Sequence, residues 1–452
     1  MVKCGFGEEI ITPALGTPCS LGVDDEAEEI FDDIYTRVIC LKDKEKTLFI
    51  ISAEVIGLSI EDIADIKESV SKATGIKNFQ MVVHTTHTHQ APNVRYHVFS
   101  TVNKSGYKAI DEEYYHYFLE QNAKAAKQAL ENLAELDSIA YGESEVQKIE
   151  SNRRIITPDG KLIMRYSRPP EELKKYPEGH IDPKVRCLIL KRSNKKDIVW
   201  INYHGHPSCT GGDEGPYVTG DFPGWAIHLL KKEVPQYEYI YMTGPHGNLN
   251  PGKYTIGDPK KVEDRKKDRD RMGKILAEGI KKALKNLNFK KVKNFDFLKE
   301  KILLELNPNF PSRESLEKDY QKALKEIEEA HSRGKKVTGG GLIRRVQFRR
   351  YIYSTLVNNK MPSFVSALRI DDYYAVFFPN EIFLEASDEI RKSYPEKKML
   401  TFSMCDDAYD YIPTPQAYKE GGYEIEVTHF SSSAFDTVVN TGKELLKRLI
   451  ND

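Results

Sequence analysis

The sequence has little net charge, few cysteines and no long apolar run, and each absence excludes a class of protein. Its 67 Lys and Arg residues balance 68 Asp and Glu residues, so charge gives no support for a nucleic-acid partner. No segment approaches the roughly 20 consecutive apolar residues of a membrane-spanning helix, and we predict no transmembrane segment. The amino terminus has no long apolar stretch, so we expect no signal peptide.

The six cysteines are scattered along the 452 residues, and none forms a C-x-x-C pair. Such usage is typical of reduced, mostly buried thiols, and we therefore predict a cytoplasmic protein. The motifs H-E-x-x-H, G-x-S-x-G and Walker A are also missing. Their absence removes the direct sequence argument for the corresponding zinc proteases, serine hydrolases and nucleotide-binding proteins.

Strand and helix patterns alternate along most of the chain. Apolar, β-rich runs predict strands at 47–53, 79–83, 185–190, 198–203, 239–242, 363–370, 373–378 and 399–403. Helical spacing predicts helices at 61–73, 112–136, 222–232, 259–287, 316–331 and 434–449, and one that begins at Glu381. The turn residues at 158–160 predict a hairpin over 154–166. We predict an α/β fold with a layered mixed β-sheet, flanking helices and a metal site at strand ends.

The chain reads as one catalytic domain over residues 1–452. Residues 290–362 differ in composition from the rest of the chain. Their sequence predicts a strongly charged helix followed by the flexible run Gly339 to Gly341. We interpret this stretch as a helical, charged insertion. No internal repeat is present.

Six of the twelve histidines fall in three short segments, each of which follows an apolar strand. They are His84, His87 and His89, then His204 and His206, then His246. If the first strand continued, His87 and His89 would point to one face, where two imidazoles can share a metal or divide metal binding and proton transfer. The alternative is a set of hydrogen-bonded surface histidines.

Other polar residues near these segments have two interpretations each. Asp221 is an N-cap, or it orients a ligand histidine. The loop 244–252 is a plain turn, or it binds substrate with its backbone N–H groups. Glu381 complements a helix dipole, or it completes a two-histidine zinc set with a carboxylate.

Several segments together, in order along the chain, resemble the catalytic domain of the neutral/alkaline (non-lysosomal) ceramidases and their bacterial relatives. They are the opening stretch 5–21, T-H-T-H-Q-A-P at 86–92, N-Y-H-G-H-P at 202–207, G-D-F-P-G at 220–224, G-N-L-N-P at 247–251, P-N-E-I-F at 379–383, and Y-I-P-T at 411–414 with G-G-Y-E at 421–424. The second segment resembles that family's T-H-T-H-S-G-P signature, and the fifth resembles its G-D-x-S/N-P loop.

The resemblance implies a hydrolase that cleaves a C–N amide (N-acyl) bond with one zinc ion. The implied ligands are His87, His206, Glu381 and Tyr411, with Tyr409 as the alternative tyrosine. Asn250 stands where the ceramidases carry a serine, which excludes a serine nucleophile there and favours attack by metal-activated water. The family's secreted members have a signal peptide and a C-terminal immunoglobulin-like domain. We expect neither here, so the substrate is not necessarily ceramide.

The hypothesis assigns a role to each remaining candidate. His89 takes up the proton and passes it to the leaving amine, and Asp221 orients His89 or a ligand imidazole. Tyr411, His89 and Asn248 are candidates for stabilising the oxyanion. Arg153 binds an anionic group of the substrate, and His204, His246 and Asn250 line the substrate site; arginines at the surface are the common alternative.

Three alternatives remain open at this stage. A metal-dependent esterase or lactonase, and a phosphoesterase, would keep the metal and change the bond. A non-catalytic metal-binding protein would have a closed coordination sphere. A small N-acyl or amide substrate is the expected partner, and a homo-oligomer is compatible with a sequence that does not fix the oligomeric state.

Overall fold

The computed structural model describes residues 1–19, 23–210, 217–258, 261–337 and 341–451. Residues 20 and 21 of the opening segment, Pro259 and Lys260 of a predicted helix, and Gly339 and Gly340 of the glycine run lie outside the described residues.

The strands, numbered in chain order, are β1 (Lys3–Ile10), β2 (Glu29–Ile30), β3 (Tyr35–Lys42), β4 (Thr47–Ala53), β5 (Gln80–Thr85), β6 (Ala134–Glu145), β7 (Ser151–Asn152), β8 (Arg154–Ile156), β9 (Leu162–Met164), β10 (Lys184–Arg192), β11 (Asp197–Tyr203), β12 (Tyr217–Val218), β13 (Tyr237–Thr243), β14 (Leu249–Asn250), β15 (Lys290–Lys291), β16 (Phe295–Glu305), β17 (Lys360–Ile370), β18 (Tyr373–Phe377), β19 (Glu381–Ile382), β20 (Lys398–Phe402) and β21 (Tyr411–Ile412). The helices are α1 (Ile60–Thr74), α2 (Tyr96–Asn103), α3 (Glu112–Glu131), α4 (Glu171–Lys174), α5 (Asp221–Glu233), α6 (Val262–Ala283), α7 (Arg313–Ser332), α8 (Gly341–Thr355), α9 (Glu385–Ser393), α10 (Pro415–Glu420), α11 (Tyr423–Val427) and α12 (Ala434–Asn451).

The larger of two sheets has the strand order β13-β11-β10-β6-β1-β3-β4-β5, with β15 paired to β6. It is mixed: β4 with β5 and β11 with β13 are parallel, and the other neighbours are antiparallel. All seven residues of β4 are buried, as expected of a strand covered on both faces. The predicted hairpin at 154–166 forms β8 and β9, which pair antiparallel.

The smaller sheet has the order β16-β17-β18-β20 and packs face to face against the larger one. Trp200 of the large sheet stacks on Phe402 of the small sheet, with ring centroids 5.1 Å apart. The two inner faces share one apolar core of aliphatic and aromatic side chains. Burying both faces in this way supplies the main hydrophobic stabilisation of the fold.

Helices cover the outer face of each sheet. α1, α3, α5 and α6 lie against the large sheet, and α12 lies against the small one. Helix α3 can approach β1 closely because Gly5 has no side chain. A Cβ at this position would sit 1.7 Å from the Ala129 carbonyl oxygen. The order helix, sheet, sheet, helix confirms the predicted α/β class with a mixed sheet and flanking helices.

Local chemistry explains where helices begin and end. Ser59 and Asp62 form a capping box at the start of α1, and Gly75 closes that helix in the left-handed conformation with φ of 71°. The predicted helix at 112–136 is too long, since α3 ends at Glu131 and β6 begins at Ala134. Residues 134–136 pair with β1 and β10 instead of continuing the helix.

The stretch 290–362 is less helical than predicted. It contributes β16, which pairs with β17 along its whole length, as well as α7 and α8. In the part of the chain that the structure describes, no helix is both long and apolar enough to cross a membrane.

Candidate metal centre

The two ends of the large sheet are joined by side chains and by the stretch that follows β20. Ser52 of β4 donates a hydrogen bond to the Tyr241 carbonyl of β13, at 2.7 Å. The backbone N–H of Thr243 donates to Nε2 of His84, at 3.0 Å. Between them, Ser403 donates its N–H to Thr243 and the N–H of Thr85 donates to Met404. The ends of β5 and β13, each of which leads into a histidine segment, therefore lie side by side.

His87 lies beyond the end of β5 and has a left-handed backbone, with φ of 66°. The prediction that a continuing strand aligns His87 with His89 is wrong, because β5 ends at Thr85. Backbone bonds from His87 to Val55 and from His89 to Pro207 hold this turn. The second bond ties the first H-x-H segment to the second, so the rings of His89 and His206 lie 5.0 Å apart.

Glu381 reaches the same place from the other sheet. It does not start a helix as predicted, because 381–382 forms the short strand β19 and α9 begins at Glu385. Asn380, with φ of 59°, accepts the N–H of Tyr409 and donates to Asp407, which fixes the turn. Gly247 donates its N–H to the Ile382 carbonyl, and a Cβ there would lie 2.2 Å from the Glu381 carbonyl oxygen.

Four side chains offer ligand atoms that all lie within 4.8 Å of one another: His87, His206, His246 and Glu381. Three of the four were predicted as ligands. His246 was predicted to line the substrate site, and in the structure its ring joins this group. The turn after β13 carries its ring to within 4.8 Å of the His206 ring and 5.3 Å of the His87 ring.

Hydrogen bonds fix which nitrogen of two imidazoles is free. Nδ1 of His87 donates to the Ile56 carbonyl at 2.7 Å, and Nδ1 of His246 donates to the Gly244 carbonyl at 2.9 Å. Nε2 of each ring is therefore unprotonated in the neutral form. Both Nε2 atoms and Oε2 of Glu381 are buried, and none has a hydrogen-bond partner among the described residues. Buried polar atoms without partners are costly, and here they point at each other.

Burial and charge control the protonation of this cluster. Burial lowers the pKa of His206 well below its usual value, and the neighbouring His246, His87 and Arg153 lower it further. Burial and His87 lower the pKa of His246 to about 3. Burial opposes ionisation of Glu381, but the adjacent His87, His246 and Arg153 hold its pKa below the ordinary value. Neutral imidazoles beside an ionised carboxylate are the forms that bind a metal cation.

Tyr411 pairs with Glu381 in the parallel register of β19 and β21. Its hydroxyl accepts a hydrogen bond from Nη1 of Arg153 at 3.3 Å. The neighbouring hydroxyl of Tyr409 instead accepts the N–H of Ile60 at 2.9 Å. Tyr411 is thus the tyrosine on the side of the ligand cluster.

Arg153 does not face substrate space as predicted, because its guanidinium is buried between three elements. Nη2 donates to Nδ1 of His206 at 3.3 Å and to the Gly247 carbonyl at 2.8 Å. Nε lies 3.4 Å from the carboxylate of Glu424. Arg153 consequently connects Tyr411 with His206 and orders the loop that carries Gly247.

Asp221 does not orient His89, as predicted. Its carboxylate accepts hydrogen bonds from Sγ of Cys209 at 3.0 Å, from the N–H and hydroxyl of Thr210, and from the N–H of Phe222 at 2.7 Å. It has a left-handed backbone, with φ of 55°. The role of Asp221 is to hold the loop that follows His206.

Three further predicted residues are engaged elsewhere. Asn248 donates to Glu385 at 3.0 Å and accepts the N–H of Leu384, so its amide braces the turn after β19. Asn250 donates to the Arg165 carbonyl and accepts from Gly252. In this structure the two amides hold loops together, and neither residue is among those that line the cavity described below.

His204 is the third of these residues. Its ring is buried, with Nδ1 at 3.1 Å from the Pro245 carbonyl and Nε2 at 3.0 Å from Arg391. His204 and His206 both lie beyond the end of β11 at Tyr203, so strand alternation does not set the directions of their rings. The contacts of its ring place His204 against the loop scaffold instead of substrate space.

A cavity of about 350 Å³ opens onto the cluster. His87, His89, Glu381 and Tyr411 are among the residues that line it. Nε2 of His89 lies 2.9 Å from Nε2 of His206. Sequence reasoning missed Asp410, whose pKa burial and Glu381 raise to about 8, and the arginines of the wall, because isolated charges in a charged stretch carry no spacing signal.

The fold of this chain is similar to that of two known ceramidase structures. The chain matches the crystal structure of neutral ceramidase from Pseudomonas aeruginosa with a TM-score of 0.71 and 12% identity, over 100% of this chain and 74% of that one. It matches a structure described as ceramidase complexed with C2 with a TM-score of 0.72 and 11% identity, over 100% of this chain and 75% of that one. The chain has a neutral ceramidase fold.

At the level of sequence, no family model and no curated protein matches this chain. The neutral ceramidase fold extends over all of it, so α7 and α8 belong to the matched region. At this level of identity the likeness establishes architecture, and the chemistry must be argued from the cluster itself.

Proposed function

We propose that this protein is a metal-dependent hydrolase that cleaves an amide bond in a small molecule. One observation carries the proposal: three buried, unpaired atoms, Nε2 of His87, Nε2 of His246 and Oε2 of Glu381, converge beside a cavity that His87 and Glu381 line. Lone pairs crowded in this way repel one another unless a cation lies among them. A site of this kind that is reachable from solvent is suited to catalysis.

His87, His206, His246 and Glu381 would hold the metal, and zinc fits the set because it favours imidazole and carboxylate ligands. When bound, such a cation lowers the pKa of water and polarises a carbonyl group. The proposal departs from the predicted ligand set in one respect. His246 replaces Tyr411, whose hydroxyl is already bonded to Arg153.

His89 is the residue placed to move a proton. It lines the cavity, and its Nε2 is 2.9 Å from Nε2 of His206. Burial, together with His87, lowers the pKa of His89 well below its usual value, so the ring is neutral at neutral pH. A neutral imidazole accepts a proton from attacking water and returns it to the leaving amine nitrogen.

Tyr411 is the donor placed to stabilise charge on the carbonyl oxygen. Its hydroxyl lies on the cavity wall beside Glu381, and the guanidinium of Arg153 donates to it at 3.3 Å. A positive charge behind the phenol strengthens the hydrogen bond that its proton can give. Donors held in place before the reaction supply much of the stabilisation of a developing oxyanion.

An amide is favoured over an ester or a phosphoester because His89 can protonate an amine leaving group, which an amide requires and an activated ester does not. A cytoplasmic location is part of the proposal and rests on six buried thiols that form no disulfide. A single catalytic domain is likewise proposed for residues 1–452.

The test is a panel of amide, ester, lactone and phosphoester substrates assayed with zinc-loaded protein. We expect turnover of amides, with His89→Ala lowering kcat by roughly 10²–10⁴-fold while bound zinc is retained. His116→Ala, on the exposed face of α3, is the matched control and keeps full activity. Turnover of esters alone would show that the protein is an esterase and contradict the amidase assignment. Absence of turnover for every class would favour a metal-binding protein without catalysis.

A further inference from the structure

The wall of the cavity that leads to the ligand cluster carries more cations than carboxylates. Three arginines line it, namely Arg95, Arg344 and Arg345, against two carboxylates, Glu381 and Asp410. Even with both acids ionised the lining is positive, and a divalent metal would add to that charge. Pockets for apolar ligands are mostly lined by hydrophobic side chains, so this wall points to a different ligand.

Arg344 is the central residue of this wall. It belongs to α8, is half-buried, and forms no hydrogen bond or ion pair with a described residue. Its nearest acid, Asp410, lies 3.5 Å from His429 instead. A guanidinium has five N–H donors and binds carboxylate in a fixed forked geometry. An unpaired guanidinium on a cavity wall therefore indicates an anion that comes from outside the chain.

Arg95 adds a second positive charge to the cavity lining. It is buried, and its guanidinium lies 4.8 Å from the centre of the Phe348 ring and 5.5 Å from that of Phe99. Contact with these aromatic faces fixes the position of the cation.

The arginines belong to the cavity and not to the general surface. Arg350, six residues further along α8, lies over the Tyr320 ring at 3.8 Å and pairs with Glu317 at 3.4 Å. The same helix thus has one arginine that is satisfied within the protein and one that faces the cavity without a partner. That contrast argues for selection by a ligand at Arg344.

We infer that the substrate of this hydrolase carries an anionic group, a carboxylate or a phosphate, that Arg344 binds with Arg95 and Arg345 while the amide lies at the ligand cluster. This inference rests on the proposed function. The rest of the substrate would contact the apolar and aromatic part of the same wall, which includes Phe348, Tyr423 and Val427. The favoured substrates are small, charged amides.

The test compares anionic amides with neutral partners of similar shape. The pairs are N-acetyl-L-phenylalanine with N-acetylphenethylamine, N-benzylsuccinamic acid with N-benzylbutanamide, and N-acetylphosphoethanolamine with N-acetylethanolamine. They place a carboxylate on the amine side, a carboxylate on the acyl side, and a phosphate. Amine release gives kcat/KM for each compound, and isothermal titration calorimetry on the zinc-loaded protein gives its affinity.

We expect the anionic member of at least one pair to have a kcat/KM roughly 10–100-fold higher, as one or two charge-assisted hydrogen bonds would give. Arg344→Met should remove that preference by raising KM for the anionic member alone. Arg350→Met, on the same helix, should leave the preference unchanged. Equal or better turnover of the neutral member in all three pairs would overturn the inference while leaving the hydrolase intact.

Binding separates the two proposals if no compound is hydrolysed. Tighter binding of an anionic member, lost in Arg344→Met and kept in Arg350→Met, would support the anion site and count against the amidase. Equal binding of all members, or no binding of any, would overturn the anion site as well.

Discussion

Nε2 of His87 lies 3.2 Å from Oε2 of Glu381, yet neither atom has hydrogen-bond geometry with any described partner. Because Nδ1 of His87 is already committed to the Ile56 carbonyl, the facing nitrogen carries a lone pair in the neutral ring. Two acceptors held at this distance inside a protein repel each other. A cation between them turns that repulsion into attraction, which is why the account assigns a metal to this position.

Tyr411→Phe distinguishes a Tyr411 hydroxyl that binds the metal from one that donates a hydrogen bond to the substrate. If the hydroxyl is a hydrogen-bond donor held by Arg153, its loss should keep zinc bound and lower kcat by roughly 10²–10³-fold. Zinc content and kcat are measured on the same sample, with Tyr409→Phe as the matched control for a buried hydroxyl on the cavity wall. Loss of the metal in Tyr411→Phe, with the fold intact, would show that the phenol oxygen is a ligand.

Gly247→Ala tests how the loop after β13 places Glu381. The added methyl would lie 2.2 Å from the Glu381 carbonyl oxygen, so β19 must shift and the carboxylate must leave the cluster. We expect weaker zinc binding together with a destabilisation of about 1–3 kcal/mol from overpacking. Unchanged zinc affinity, measured by competition with a chelator, would mean that the carboxylate is not positioned from this loop.

Asp221→Ala tests the scaffold of His206. The carboxylate accepts from Cys209, Thr210 and Phe222, all of them buried, so its removal leaves these donors unpaired. We expect a loss of about 2–5 kcal/mol in the free energy of unfolding, measured in urea. Asp372→Ala, an exposed carboxylate next to Lys290, should change it by less than about 0.5 kcal/mol. A similar loss in the free energy of unfolding for the two variants would show that Asp221 does not stabilise the loop after His206.

The pH dependence of stability follows from buried, neutral histidines. Burial lowers the pKa of His84 well below 6.5 and that of His429 to about 3. In the unfolded chain these imidazoles are protonated near pH 6.5, whereas in the folded chain they are protonated only at lower pH. Stability is complete above that range and falls as the pH drops, by up to about 1.4 kcal/mol per pH unit for each such ring.

His84→Gln and His429→Gln should each flatten this acid dependence in metal-free protein. The measurement is the free energy of unfolding from about pH 7 down to about pH 5, where the folded rings stay neutral. His116→Gln, which removes an exposed imidazole, is the control and should leave the slope as it is. A slope equal to that of the parent protein in both buried-histidine variants would contradict the assignment.

Sequence periodicity predicted the fold class and several central strands, but it missed others, among them β1, β3, β6 and β16. Short apolar runs predict buried strands such as Thr47–Ala53. Two boundaries failed for a physical reason: the α3–β6 junction and the start at Glu381 depend on tertiary contacts that outweigh local propensity. Glu381 is strand because it pairs with Tyr411, a residue 30 positions away that no local pattern reveals.

The candidate site was predictable in part. The H-x-H segments and Glu381 were identified from residue type and from their places after strands. His246 could not be separated from a turn histidine, because its role depends on the close approach of β13 and β5. Asp221, Asn248, Asn250 and His204 brace loops in the structure, and sequence does not distinguish a polar residue that faces a cavity from one that braces a loop.

The most direct test is the metal content of tag-free protein purified without added metal, measured by inductively coupled plasma mass spectrometry. The account predicts about one zinc per chain, strongly reduced in His87→Ala, His206→Ala, His246→Ala and Glu381→Ala, and retained in His116→Ala. Folding of each variant is checked by circular dichroism. A native, metal-free chain that takes up no zinc on titration, or full zinc content in His246→Ala and Glu381→Ala, would contradict it.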